Sequence, residues 1–282
     1  MGKQTRGAQT VRTLQITAFF VLFCVVNDSL AVILGKPTAA TKTSAISLPE
    51  GYLKKTDIQM THAVPVSDET SAVAYRIAEP LDTAGFPSES AWGKSSPVVF
   101  NSDWQGKNAD PQRQTEVRLL WSSETLFLQF RARYRTISVF LDAEPSGRRD
   151  QLWDRDVVEV FIQPDASEPH RYKEFEVSPN GFWIDLDIAP GAKRDLQSNL
   201  RRRVSLDEQS HTWTAELAIP TKSISPHAVP QSGWKVNFYR CEGAEEPRFY
   251  SAWRPTHTAQ PNFHVPEAFG SLVFAPSPTK ES

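Results

Sequence analysis

The chain has 282 residues, 39% of them hydrophobic and 23% charged, a balance ordinary for a folded globular protein. Its 31 basic and 33 acidic residues leave a formal charge of −2, so it lacks the basic field that draws a protein onto nucleic acid or an anionic lipid surface. Two cysteines are too few for a disulfide-stapled miniature, and stability has to come from a packed core.

Lys3, Arg6 and Arg12 precede a nearly unbroken apolar stretch from Leu14 to Val26, and Ser29-Leu-Ala31 supplies small residues at a signal-peptidase spacing. The apolar run falls short of the ~20 residues that span a bilayer. Residues 1–31 therefore read as a cleaved secretory signal and the protein as secreted or periplasmic, with a retained N-terminal anchor as the alternative. Phe23 before Cys24 argues against a lipoprotein cleavage site. Cleavage removes three basic residues and Asp28, taking the formal charge from −2 to −4, and leaves Cys241 without a disulfide partner. Residues 32–70, rich in Thr, Ser, Ala and Pro without a period, read as a linker or N-terminal arm.

From there period-two alternation dominates. Val117, Leu119 and Trp121 mark one strand. Across a short Ser-Ser-Glu-Thr turn, Leu126, Leu128, Phe130, Ala132 and Tyr134 alternate with Gln129, Arg131 and Arg133. Val158, Val160 and Ile162 form one face of the next strand. Phe175 and Val177 lead into Pro179-Asn-Gly181, whose Asn-Gly signals a hairpin, and Phe182, Ile184, Leu186 and Ile188 follow. Later strands are predicted over 213–219, 234–240, 248–253 and 272–274. Neither an amphipathic helix nor an internal repeat is evident. Arg201-Arg-Arg203 reads as a solvated strand face rather than a phosphate site. The expected fold class is all-β: an antiparallel, jelly-roll-like β-sandwich forming a single domain over 71–276, with 277–282 as a tail.

Strand parity then distributes the polar residues. If Val158, Val160 and Ile162 face the core, Glu159 faces outward. Glu174 and Glu176 point away from Phe175 and Val177, while Trp183, Asp185 and Asp187 point away from Phe182 to Ile188. One sheet surface is thus expected to carry these carboxylates with a Trp, and Trp153 sits at its rim. A solvated acidic face is the simpler reading of the carboxylates taken singly. The tryptophan beside them favours a binding surface, although Trp153 equally suits a lid over the core.

Among chemistries, glycoside hydrolysis needs two carboxylates across a scissile bond, for which Asp154, Asp156 and Glu159 are candidates. Metal binding could recruit Asp154, Asp156, Asp185 or Asp187, but there is no EF-hand loop, His pair or Cys pair. No Gly-x-Ser-x-Gly elbow is present. The six histidines are scattered, and only His264 lies in a motif, Pro261-Asn-Phe-His-Val-Pro-Glu-Ala-Phe-Gly270. Haem ligation lacks a core Met.

Trp153-Asp-Arg-Asp-Val-Val-Glu159, Tyr172-Lys-Glu-Phe-Glu-Val-Ser-Pro-Asn-Gly181 and Trp213-Thr-Ala-Glu-Leu-Ala-Ile-Pro220 resemble, in that order, the family 9 carbohydrate-binding modules. Trp234-Lys-Val-Asn-Phe-Tyr-Arg240, Tyr250-Ser-Ala-Trp253 and Phe269-Gly-Ser-Leu-Val-Phe274 continue the match, which covers about 71–276. The resemblance implies a β-sandwich that binds, without cleaving, a terminal sugar of a cellulose- or xylan-type oligosaccharide or polysaccharide. It implies association with glycoside hydrolases in carbohydrate catabolism, with no catalytic residue; the protein is further expected to be a monomer without a cofactor, binding no nucleic acid and, after signal cleavage, no membrane. Some members carry structural Ca2+. Carried over by motif, Trp153 and Phe263 are the two aromatic plates and Glu159 a hydroxyl acceptor, with Glu174 and Glu176 as further contacts. Glu176 stands where better-known members have Arg, and Phe263 where they have Trp, so the hydrogen-bond pattern differs. A glycosidase using Asp156 and Glu159, or an interaction protein whose sugar site has decayed, stays open as an alternative.

Overall fold

Thirteen strands form among the residues described by this computed structural model, 70–227 and 233–277, all within the unit Met60–Ser282, and most of them follow the period-two alternation. The expected signal peptide, most of the arm and nearly all of the tail lie outside those residues. The strands join into one curled sheet. One half runs through β8 (Ala192–Asp195), β7 (Trp183–Ala189), β6 (Tyr172–Val177), β5 (Val157–Gln163) and β11 (Lys235–Glu242), with β12 (Phe249–Ala252) also beside β11. The path then crosses β13 (Gly270–Ala275) and β1 (Ser71–Arg76). It ends through β3 (Thr115–Trp121), β4 (Thr125–Arg133), β10 (Thr212–Pro220) and β9 (Arg201–Asp207), with β2 (Val98–Phe100) beside β3.

The two halves share one apolar core, as a sandwich requires. Val158, Val160, Ile162, Phe175 and Phe238 from the first half pack in the same cluster as Leu119, Leu128, Phe130, Trp213 and Leu217 from the second. The opposite faces are covered as well. A short helix α1 (Glu89–Gly93), capped by Ser88, brings Ala91 and Trp92 over Phe127 and Leu120. On the other side Leu152, Phe263 and Phe269 cover Phe161, Tyr239 and Leu186. No helix among the described residues is long and apolar enough to cross a membrane.

Two expectations are corrected. The sheet is mixed rather than antiparallel, because β1 runs parallel to both neighbours, β13 and β3. Alternation carries no information on strand direction. The segment from β1 to β3 is long enough for the crossover that parallel neighbours need. The basic run 201–203 is also more than a solvated face. Arg201 donates to Ala84 O at 2.7 Å, Arg202 to Gly181 O at 2.8 Å, and Arg203 to Asp82 at 2.5 Å.

A third correction concerns β7. A two-residue Asn180-Gly181 turn would pair Pro179 with Phe182 and place Asp185 beside Glu176. The observed loop holds three residues, 179–181. Ser178 N donates to Phe182 O and Gly181 N to Ser178 O, each at 2.9 Å, with Gly181 at φ +82°. This is the type I turn plus left-handed residue typical of three-residue hairpins. The extra residue inverts the facing of β7. Ile184 now lies across from Glu176, and Asp185 across from Phe175. Trp183, Asp185 and Asp187 therefore leave the carboxylate surface. Trp183 lies between the guanidinium groups of Arg148 and Arg202, 5.5 and 5.0 Å from its ring.

Because an added Cβ at Gly181 would meet nothing within 4 Å, Gly181→Ala isolates the backbone cost. It should lower unfolding stability by about 1 kcal/mol in a denaturant titration with the fold retained.

Candidate functional site

Strands β6, β5 and β11 lie side by side, and their alternation brings two sets of residues to opposite faces. The outer face carries Glu159 and Phe161 of β5, Glu174 and Glu176 of β6, and Tyr239 and Cys241 of β11. Cross-strand register sets Glu159 directly opposite Glu176 and Phe161 opposite Glu174. Tyr239 pairs with Glu159 on the other side. Like charges directly opposite oppose each other, so the sheet presents its acids at an electrostatic cost.

These acids are not solvated, which corrects the simpler sequence reading. Glu159, Glu174 and Glu176 are all buried, Glu176 completely. One oxygen of each lies within 4.8 Å of the others. Both oxygens of Glu176 and Oε2 of Glu174 are buried with no N–H or hydroxyl donating to them, so that the two carboxyl groups have chiefly each other as polar neighbours. Cys241 Sγ donates to Glu159 Oε1 at 3.5 Å. Burial, reinforced by the charge of Glu174, pushes the Glu159 carboxyl up to about 8. Burial and the neighbouring Glu159 and Glu174 push Glu176 well above the usual carboxylate range.

Two loops frame these groups. The first is the 3-10 turn Leu152–Asp154 just before β5, entered through Gln151 at φ +56°. Leu152 anchors it in the outer apolar cluster, leaving Trp153 half-buried at the rim. Arg248 clips its backbone, donating to Trp153 O at 2.6 Å, Arg155 O at 3.0 Å and Gly243 O at 2.8 Å. Lys193 of β8 sets its ammonium over the Trp153 ring, 4.3 Å from the centroid.

The second loop is the closing segment 260–269. Tyr239 donates its hydroxyl to Phe263 O at 3.0 Å, and its ring stacks on Phe263 with centroids 4.3 Å apart and planes at 12°. Tyr172 meets His264 Nδ1 through its hydroxyl at 2.7 Å. Phe263 is buried, with 9% of its surface open. All five residues singled out from the sequence, Trp153, Glu159, Glu174, Glu176 and Phe263, line a single cleft of about 410 Å3.

The other acids go elsewhere. Asp154 lines the cleft. Asp156 is buried outside it, its oxygens accepting from Gly243 N at 2.6 Å and Ser138 N at 3.1 Å, and burial pushes it up to about 6. Asp185 lies on the inner face, held by Arg148 at 3.0 Å and Ser198 N at 2.7 Å. Asp187 pairs with Lys173 at 2.5 Å. The four aspartates considered for a metal are thus dispersed, and the acidic cluster consists of glutamates instead. Sequence reasoning missed Lys193, Cys241, Arg248 and Asn262, which also line the cleft. Asn262 lay inside a motif already noted, whereas Lys193 and Arg248 are isolated charges with no local signal.

The family model described as carbohydrate-binding family 9 matches residues 99–274. An extracellular protein of Arthroderma benhamiae is 28% identical over 195 residues, 63% of this chain and 86% of its own. A Bacteroides uniformis protein described as a candidate carbohydrate binder superposes with a TM-score of 0.59 at 18% identity, over 73% of this chain and 99% of its own. A family 9 carbohydrate-binding module of Caldicellulosiruptor kristjanssonii was solved with cellotriose and with glucose. It superposes with TM-scores of 0.53 and 0.51 at 13% identity, over 75% of this chain and 97% and 98% of its own. At such identities the likeness to the solved structures is one of fold.

The raised carboxyls fix the sign of a pH effect. A group with a folded-state pKa above its unfolded value stabilises the fold below the unfolded value and loses that contribution as pH climbs through the folded one. For Glu159 the window runs from the ordinary 4.5 to about 8. Without added divalent cations, Tm should fall on the order of 5 °C between pH 5 and pH 8.5. Glu176→Gln should flatten that fall, as read by differential scanning calorimetry.

Proposed function

Since this chain belongs to carbohydrate-binding family 9, we propose that it binds a terminal sugar of an oligosaccharide or polysaccharide without cleaving it. What supports this reading above all is the cleft shared by Trp153 and Phe263, aromatic groups from distant loops set over a floor of carboxylates. A pyranose stacks its C–H faces on rings and hands its hydroxyls to fixed polar groups. Each ring has one face already taken, Trp153 by Lys193 and Phe263 by Tyr239. What stays open for a sugar is the exposed part of the half-buried Trp153 and the small part of Phe263 that reaches the cleft. Lys193 and Asn262 bring donors to the cleft wall, in place of the donor that an Arg at 176 would supply.

The arrangement argues against hydrolysis. Glycosidase carboxyl groups flank the scissile bond at roughly 5–5.5 Å or 6.5–9.5 Å. Here the three glutamates lie on the adjacent strands β5 and β6, on one side at the floor of the cleft, rather than on opposite walls. Asp156, the partner considered for Glu159, spends its oxygens on backbone N–H groups. The cellotriose and glucose complexes of the structural neighbour make gluco-oligosaccharides the first ligands to try. The Arthroderma benhamiae relative, named as extracellular, supports export of this protein.

Trp153→Ala removes the indole but leaves the Trp153 carbonyl that Arg248 holds. Calorimetric titration should show sugar binding weakened at least about tenfold, or about 1.4 kcal/mol, with the melting temperature unchanged. Unchanged affinity in this variant would remove Trp153 from the site, and release of reducing sugar by the wild type would make the protein an enzyme.

A further inference from the structure

We infer that Glu159, Glu174 and Glu176 bind an oxygen-preferring divalent cation, of the Ca2+ or Mn2+ kind, at the base of the cleft. This goes beyond sugar binding and stands on the carboxylates alone. Three acids share one point of the sheet, with one oxygen from each inside a span of 4.8 Å. That span is about twice a Ca–O bond, so a single ion can reach all three.

A cluster of acids is common on protein surfaces, but this one is buried. Glu176 is fully buried, and no N–H or hydroxyl donates to either of its oxygens or to Oε2 of Glu174, whose only close polar company is one another's carboxyl groups. Among the described residues no Lys or Arg forms an ion pair with any of the three. The two cations of the cleft wall make their contacts elsewhere, Arg248 with the carbonyls of Trp153, Arg155 and Gly243 and Lys193 with the indole of Trp153, and act on Glu159 and Glu176 only through space. Buried carboxylates left this way either take up protons or hold a metal.

The donor chemistry selects the class of ion. Three glutamates make a hard oxygen set suited to Ca2+ or Mn2+. The nearby Cys241 thiol serves instead as a hydrogen-bond donor to Glu159. An organic ammonium, such as that of an amino sugar, would also pair with carboxylates. The unpartnered oxygens, however, present almost no surface to a ring in the cleft. A single ion needs less room among them than an ammonium carried on a sugar ring. Three carboxylates satisfy only part of the 6–8 ligands that Ca2+ takes, leaving room for water or for hydroxyls of a ligand in the cleft.

The test uses the whole protein, stripped with a chelator and dialysed, then titrated with CaCl2 and separately with MnCl2 in the absence of sugar. We expect saturable heat and a rise in Tm of about 5 °C or more at saturation. Glu176→Gln should weaken the ion at least about tenfold. Before any ion is added it should melt no lower than wild type, because it removes one of three opposed buried acids; loss of binding is thereby separated from loss of fold. Trp153→Ala should keep the ion, so that failure of the sugar site and failure of the metal site remain distinguishable. The inference is overturned by the absence of heat and Tm response to either ion at millimolar concentration, by a response to glucosamine alone, or by ion affinity that survives Glu176→Gln.

Discussion

Glu159 and Glu176 face each other across neighbouring central strands, and neither can retreat without shifting the pairing of β5 with β6. A one-residue slip would turn Val158, Val160 and Phe175 out of the core and the acids into it. The apolar inner face therefore holds the acidic outer face in an arrangement that electrostatics alone would reject. That opposition is the constraint on which the cleft depends. The sandwich core supplies the free energy, and the outer face is where some of it is spent on keeping carboxyl groups close together.

The loops around the acids are fixed by a few directional bonds rather than by extensive packing of their own. Arg248 gathers three backbone carbonyls from two segments, and a planar guanidinium suits that role because its donors are rigidly forked. Asp156 performs the reciprocal task with its two oxygens, accepting backbone N–H groups from opposite sides of the same loop cluster. Tyr172 and Tyr239 tie down the closing segment through their hydroxyls while their rings remain in the apolar layer. The aromatic rim is thus suspended from groups that are themselves buried.

Much of this was legible in the residues. Alternation located β3 to β7 and β10 to β13, and parity sent Glu159, Glu174 and Glu176 to the face opposite Val158 and Phe175. The burial of that face was not legible, because Leu152, Phe263 and Phe269 cover it from loops whose path no period records. The facing of β7 was misread for a different reason. Asn180-Gly181 announces a turn, but not whether two or three residues form it, and one residue moves Trp183 and Asp185 to the other side. The strands β1, β2 and β8 escaped notice, and β9 was foreseen only as the strand face of Arg201 to Arg203. In β9 the arginines find partners only after folding, and in β1 the run Ala72 to Tyr75 is buried on both faces and shows no alternation.

The central position of β1, between β13 and β3, has a consequence for biosynthesis. The seam joining the halves is made from the earliest and latest strands of the domain, Ser71 lying beside Ser271. While the chain emerges from a ribosome, hairpins such as β3–β4 and β6–β7 can form locally, but the seam must wait until the final strand has been translated. Until then strand edges destined for the interior stay open to neighbours, so the nascent chain has reason to depend on chaperone shelter late in its synthesis.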